Sequence, residues 1–345
     1  HAPDTFKGKQ KMILRLIFTL LLIGFSAHPV FAGSKQLLVL SGRTMGTVYT
    51  IKLIPPASAD PDQSLWQKRV EMRLKEVNQR LSMYDTRSEL SRFNQAAEGD
   101  ILSISRDFLT VLKQGAALYE LTRGAWDGTV KPLVDLWGFG TKGKTSVVPD
   151  PQTLQRALLK TGFKHILILP SGQVIKKKQI TLDLGSIAKG FGVDTLGSLF
   201  KSFGISDYLI EIGGELAASG TNIRHKPWTV GISRPDPALA GSRLHTAIRL
   251  KDKAIATSGN YRNFYQINGR TVSHIIDPKT GFPVSNRIVS ASVISDNCTF
   301  ADGLATALMV MDVSSGIDLV NRLEETECLI VQKIGAQYVN HASRG

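Results

Sequence analysis

TLDLGSIAKGFGVD, residues 181–194, is the stretch on which the fold reading turns. Gly185 and Gly190 stand at the spacing of a P-loop, G-x-x-x-x-G-K-[ST]. The lysine, however, is Lys189, before the second glycine, and Phe191–Gly192 follow it. Nor is the stretch a G-x-G-x-x-G dinucleotide turn. Both familiar nucleotide loops fail, so its neighbours must give it meaning. It opens a helix expected over 186–202, set among short β-branched runs that dominate from Ile166 onward: HILIL, QVIKK, ITLDL, YLIEI, WTVGI, HTAIRL, AIATS and IVSASVI. Further helices are expected near 299–310 and 314–324. Clustered strands without regular β-α-β alternation predict an α+β fold with largely antiparallel sheets and packed helices.

Towards the N-terminus, KQLLVLSGRTMGTVYTIKL alternates like a strand, interrupted at Gly42 and Gly46. Leu65, Val70, Leu74 and Val77 follow at helical spacing, with Asp62 as the expected N-cap. LSMYDTRSELSRFNQ reads as a loop into a short helix. Residues 105–124 form a second amphipathic helix, closed by Gly124. TKGKTSVVPDPQ, from 141, is the most polar, loop-like segment and reads as a loop within one domain rather than a linker.

The 345 residues are 42% hydrophobic, with a formal charge of +13 and a mean hydropathy of −0.02. That fits a globular protein with ample core. The charge suits an acidic partner, an anionic small molecule or phosphate, and equally a basic surface with no dedicated partner. The only long apolar run is at the start. Lys7, Lys9, Lys11 and Arg15 against Asp4 give residues 1–32 a net of +3, leaving +10 on the rest. An apolar core over Leu16–Phe25 and small residues at Val30 and Ala32 have the anatomy of a secretory signal peptide cut after Ala32. A retained anchor is the alternative, although the core is short for a span. Met12 offers a second start, which would leave residues 1–11 outside the natural product. Residues 33–345 are then expected as one exported domain, soluble in the periplasm. Cys298 and Cys328 make no disulfide framework and are expected as buried free thiols.

Several residues offer chemistry. In SDNCTFADGLATALMVM, Asp302 and Thr306 fall i, i+4 on one helix face, two oxygens of the kind Mg²⁺ takes. A helix-terminal aspartate over a packed threonine explains the same spacing. His274, before the turn of VSHIIDPKTGFPVSN, has the pKa of a base for a hydroxyl nucleophile, or serves structure alone. GAWDGTVKPLVDLWGFG brings two tryptophans and four glycines into one loop suited to a flat ring, or to sealing the core rim. Gly213–Gly214 ends a strand where a ligand backbone could approach, or marks a bulge. Thr257, Ser258 and Asn260 surround a glycine turn. There is no G-x-S-x-G elbow, which disfavours a serine hydrolase.

In order, RTMGTVYTI, SMYDTRSELSRFN, GAWDGTVKPLVDLWGFG, LDLGSIAKGFGVD, IEIGGELAASG, ATSGNY, SHIIDPKTGFPV and ADGLATAL span about residues 43–331. Together they resemble the ApbE family of FAD:protein FMN transferases. The resemblance implies an ApbE-like, T-fold-like architecture and an enzyme. It also implies Mg²⁺-dependent transfer of FMN from FAD to a threonine or serine hydroxyl of a target protein, with release of AMP. Met45, Tyr84, Ala125, Trp126, Asp127, Asp183 and Lys189 match cofactor-contacting positions. Asp302, Thr306 and an oxygen of Ser186, its backbone carbonyl, match metal ligands, and His274 matches the base. The implied partners are FAD and a membrane-associated redox protein; no nucleic acid is expected. Departures from the family's usual residues, at Trp126, Ser186, Phe191 and Gly303, remove no side-chain ligand. An FAD pyrophosphatase or a non-catalytic periplasmic flavin-binding protein are the alternatives.

Overall fold

The computed structural model describes residues 36–140, 143–145, 147–233, 244–260 and 263–344. The expected signal segment lies outside them. The strands are β1 (Leu38–Thr44), β2 (Thr47–Ile54), β3 (Ile101–Leu102), β4 (Ile166–Ile168), β5 (Val174–Lys176), β6 (Asp207–Ile212), β7 (Glu215–Ser219), β8 (Trp228–Ser233), β9 (Leu244–Leu250), β10 (Lys253–Gly259), β11 (Phe264–Ile267), β12 (Arg270–Ser273), β13 (Ile288–Ser295), β14 (Glu327–Ile334) and β15 (Gln337–Ala342). The helices are α1 (Gln63–Leu81), α2 (Glu89–Gln95), α3 (Arg106–Leu121), α4 (Lys131–Leu136), α5 (Pro151–Leu158), α6 (Ala188–Ser202), α7 (Cys298–Val310) and α8 (Val313–Val320).

The main sheet has the order β1-β2-β6-β7-β10-β13-β14-β15, and every neighbouring pair in it is antiparallel. Smaller antiparallel groups are β3-β5-β4, β8-β9 and β11-β12. The α+β expectation is met, and non-consecutive neighbours such as β2 and β6 bring distant segments together. α1 starts where Asp62 accepts the Ser64 N–H at 2.8 Å. It buries Trp66, Val70, Leu74, Val77 and Leu81, so the inward residue is Trp66 and not Leu65. Its apolar face packs with Val193, Leu196 and Phe200 of α6 against β1, β2 and β6. Burying a side chain such as Leu74 contributes about 1.5–3 kcal/mol. The opposite side of the sheet takes the β8–β9 hairpin through Trp228, Val230 and Leu250. Cys298 and Cys328 are both buried and unpaired.

Three local expectations change. ITLDL forms no strand: Asn94 instead clamps Leu182, its Oδ1 accepting the backbone N–H at 2.7 Å and its Nδ2 donating to the carbonyl at 2.9 Å. One side chain thereby does the work of a strand neighbour. GAWDGTVKPLVDLWGFG contains α4, because Pro132 in its first turn suits a helix start. The helix over 105–124 ends at Leu121; Arg123 and Gly124 follow with left-handed φ of 52° and 78°.

Candidate active site

The site forms where two tight turns meet the start of α6. Between β1 and β2, Met45 and Gly46 both have positive φ, 48° and 72°. A two-residue hairpin connection asks for this, at a cost of about 1–2 kcal/mol for the non-glycine residue. Gly213 and Gly214, φ 63° and 109°, make the equivalent turn between β6 and β7, and the Gly213 N–H reaches the Val48 carbonyl at 3.0 Å. The two turns lie side by side because β2 pairs with β6. A Cβ on Gly192 would stand 2.9 Å from Met45 Cε, so this glycine of α6 makes room for the methionine.

α6 and α7 approach closely at Gly190, where a Cβ would meet the Cys298 carbonyl oxygen at 2.4 Å. Asp194, one turn on, binds the start of α7: its carboxylate accepts the N–H groups of Cys298 at 2.9 Å and Thr299 at 2.8 Å, and the Thr299 hydroxyl. Helix N-termini favour such a negative charge. Docked in this way, α7 presents Asp302 to α6. Asp302 Oδ2 accepts the Gly190 N–H at 3.0 Å, and Oδ1 stands 3.6 Å from Lys189 Nζ. α7 is capped by Asn297, so Asp302 is no helix-terminal aspartate; it is 2% exposed and aimed across the helix pair. Thr306, one turn along, meets the Ser258 hydroxyl at 2.9 Å.

Lys189 lies between Asp302 and Glu215, whose Oε1 is 3.1 Å away. Glu215 is 3% exposed, and its Oε2 has no hydrogen-bond partner. Burial and the Asp302 charge push the Glu215 carboxyl up; burial likewise raises Asp302, against the pull of Lys189 and the Gly190 N–H. Burial alone would lower the Lys189 ammonium, but Asp302 and Glu215 hold it above its ordinary value. Two buried carboxyl groups share one ammonium, with an orphaned carboxyl oxygen and hydroxyls nearby. That hard-oxygen environment suits a divalent cation such as Mg²⁺. Among the described residues no three His, Cys, Asp or Glu side chains gather as a metal site, so such a set would mix one or two carboxylates with hydroxyl and backbone oxygens.

His274 follows β12. Its Nδ1 lies 3.1 Å from the Asn263 carbonyl oxygen, an acceptor only, so Nδ1 carries the proton and Nε2 keeps its lone pair. Burial lowers the His274 pKa, and the Lys189 charge adds to this, while the Asn263 carbonyl opposes them.

The residues matched to cofactor, metal and base positions line one cavity of about 950 Å³: Met45, Tyr84, Ala125, Trp126, Asp127, Asp183, Ser186, Lys189, His274, Asp302 and Thr306; Thr257 and Ser258 line it too, whereas Asn260 does not and instead donates to the Ile288 carbonyl at 2.8 Å. That volume is large for a ligand pocket, typically about 300–1,000 Å³. The matched residues do not present themselves alike. Tyr84 is 78% exposed, at the rim. Trp126 is 1% exposed and packs in the core on Phe163, with its indole N–H donating to Ser186 Oγ at 3.0 Å. The core-sealing reading of this loop therefore describes Trp126, and the Ser186 hydroxyl is held by it. Asp127 Oδ1 accepts from the Thr129 N–H and hydroxyl, and Oδ2 from the Phe163 N–H at 3.3 Å, so this carboxylate organises its own turn. Asp183 spends one oxygen on the Gly185 N–H, and burial raises its pKa. Ser258 is one of the polar groups the sequence offers at the glycine turn, but without a partner; Glu215 is not singled out by the sequence reading. The signal for Glu215 was a carboxylate at an inward position of the apolar strand β7, directly after Gly213–Gly214.

The sequence profile of the ApbE family matches residues 45–330. The chain belongs to the ApbE family. A curated relative named FAD:protein FMN transferase, from Vibrio cholerae, is 41% identical over 306 residues, covering 88% of this chain and 90% of the relative. Among solved structures, the flavin transferase ApbE from Vibrio cholerae superposes with a TM-score of 0.81 at 39% identity, covering 90% of this chain and 97% of that one. The apo form of Pseudomonas stutzeri flavinyl transferase ApbE gives 0.82 at 31% identity, covering 90% and 95%. The expected ApbE family and fold are thus met, and the cavity belongs to a chain whose relatives carry the name of a transferase.

Proposed function

We propose that this ApbE-family chain is an FAD:protein FMN transferase that moves FMN from FAD to a threonine or serine hydroxyl of a redox protein and releases AMP. The observation that carries the reading is the convergence of Lys189, His274, Asp302 and Thr306, from three separate segments (α6, the stretch after β12, and α7), on one cavity of dinucleotide size. Met45, Tyr84, Ala125, Trp126, Asp127 and Asp183 supply its apolar, aromatic and polar walls. His274 Nε2 takes the proton of the acceptor hydroxyl, whose oxygen attacks the FMN-side phosphorus. A P–O bond of the pyrophosphate breaks, and the electron pair leaves with AMP. Lys189 gives the anionic phosphates a positive contact. Asp302, Thr306 and an oxygen of Ser186 would hold Mg²⁺, which when bound neutralises charge developing on the phosphates.

The basic residues before the apolar run Leu16–Phe25 and the small residues at Val30 and Ala32 support a signal peptide cut after Ala32, and with it export of one domain over 33–345 to the periplasm; the acceptor is taken to be membrane-associated from the family resemblance alone. No helix among the described residues is long and apolar enough to cross a membrane.

The test incubates the protein with FAD, Mg²⁺ and a threonine-bearing acceptor domain, then follows flavin fluorescence on a denaturing gel and AMP in solution. Flavin that survives denaturation on the acceptor is expected. Free FMN with AMP marks a pyrophosphatase instead, and intact FAD a binding protein. Asp302→Ala is expected to stay folded and lose about 10²-fold or more in rate. Full flavinylation by that variant would sink the assignment.

A further inference from the structure

Lys189 is a resident cation beside a carboxylate to which a divalent cation is assigned. The two cannot share Asp302 Oδ1 without strong repulsion. The two ion pairs are unequal: the ammonium lies 3.1 Å from Glu215 Oε1 and 3.6 Å from Asp302 Oδ1, so Glu215 draws it to the far side of the looser contact. Asp302 Oδ2 is already committed to the Gly190 N–H, so Oδ1 is the oxygen left to offer. Glu215 is well placed for a holding role. It is the first residue of β7, fixed by the Gly213–Gly214 turn, and it is buried with one oxygen on Lys189 and the other unpartnered.

We propose that Glu215 is a positioning residue that tethers the Lys189 ammonium away from Asp302 and so keeps Asp302 Oδ1 open for the divalent cation. Lys189 is thereby held beside the cation instead of in its place, where its charge faces the same phosphates. The inference rests on the reading of Asp302 as a metal ligand. Loss of the Glu215 charge frees Lys189 to close on Asp302 and compete with the ion.

The test is direct cation binding by full-length protein without nucleotide. Mn²⁺ serves as the probe because it shares the preference of Mg²⁺ for carboxylate, hydroxyl and water ligands. Its free signal is followed by electron paramagnetic resonance, with circular dichroism to check folding. Glu215→Gln, which keeps the shape, is expected to weaken Mn²⁺ binding by about tenfold, the scale of coupling within one charged network. Lys189→Met is expected to bind at least as tightly as wild type. The double variant is expected to match Lys189→Met, since with no ammonium there is nothing to tether. That recovery also shows that the Glu215→Gln fold is sound. A double variant weaker than Lys189→Met overturns the proposal in favour of Glu215 as a direct ligand, and unchanged binding by Glu215→Gln overturns it outright. Asp302→Ala separates the two levels. If that variant keeps wild-type affinity, the metal reading fails and the tether with it; if it loses Mn²⁺ while Glu215→Gln does not, the tether alone fails.

Discussion

At the scale of single residues, His274 carries the prediction with the clearest sign. Its Nδ1–H is fixed on the Asn263 carbonyl, leaving Nε2 as the free base, and its pKa lies below the ordinary 6.5 through burial first and Lys189 second. The imidazole is therefore neutral at pH 7 and becomes protonated only in acid. The rate of flavin transfer should stay level around neutrality and fall on an acid limb whose midpoint lies below pH 6.5. His274→Gln is expected to lower the rate by about 10²–10⁴-fold, the usual worth of general base catalysis, and to lose that limb. Flavinylation measured from pH 5 to 8 for both proteins decides it. A variant with the wild-type acid limb would assign the titration to another group.

At the scale of elements, the α6–α7 contact is what converts sequence into a site. Gly190→Ala adds a Cβ at 2.4 Å from the Cys298 carbonyl oxygen and 2.7 Å from its carbon, both backbone atoms that cannot rotate aside. The helices must part, which is expected to cost about 1–3 kcal/mol in urea unfolding, beyond any gain in helix propensity. It should also pull Asp302 from the Gly190 N–H. Gly192→Ala is the contrast: its nearest neighbour is the flexible end of Met45, so stability should change less. Equal stability of the two variants would show that close backbone approach is not what seats α7. The same contact explains what could be read in advance. Periodicity located α1 and α3, composition located α6 and α7, and β-branched runs located most strands, because each pattern is local. Asp302 and Thr306 were visible as an i, i+4 pair for that reason. Glu215 was not, since its meaning depends on Lys189 and Asp302, far away in the chain. The Trp126–Ser186 hydrogen bond and the Asn94 clamp on Leu182 are long-range in the same way; the β-branched run ITLDL suggests a strand, but the clamp takes the backbone groups a strand neighbour would use.

At the scale of the whole molecule, the cavity joins parts that otherwise share little. Its walls come from the β1–β2 turn, the end of α1, the Ala125–Asp127 turn, α6, β8, β10 and α7. The side chains behind those walls belong to separate apolar clusters, one beneath α1 and α6, one around α3 and α7, and one under the β8–β9 hairpin. A ligand that touches all of these walls stabilises only the arrangement in which they are assembled. By mass action, a ligand at a hundred times its dissociation constant adds about 2.7 kcal/mol to the folded state. FAD should therefore raise the melting temperature by several degrees in a single cooperative transition, with a further rise when Mg²⁺ is added. With Asp302 proposed as a metal ligand, Asp302→Ala should keep part of the FAD shift and lose the Mg²⁺ part. Scanning calorimetry with FAD, with Mg²⁺ and with both separates these cases. If FAD moved only one of two resolved transitions, the clusters would melt independently and the cavity would not be their common joint.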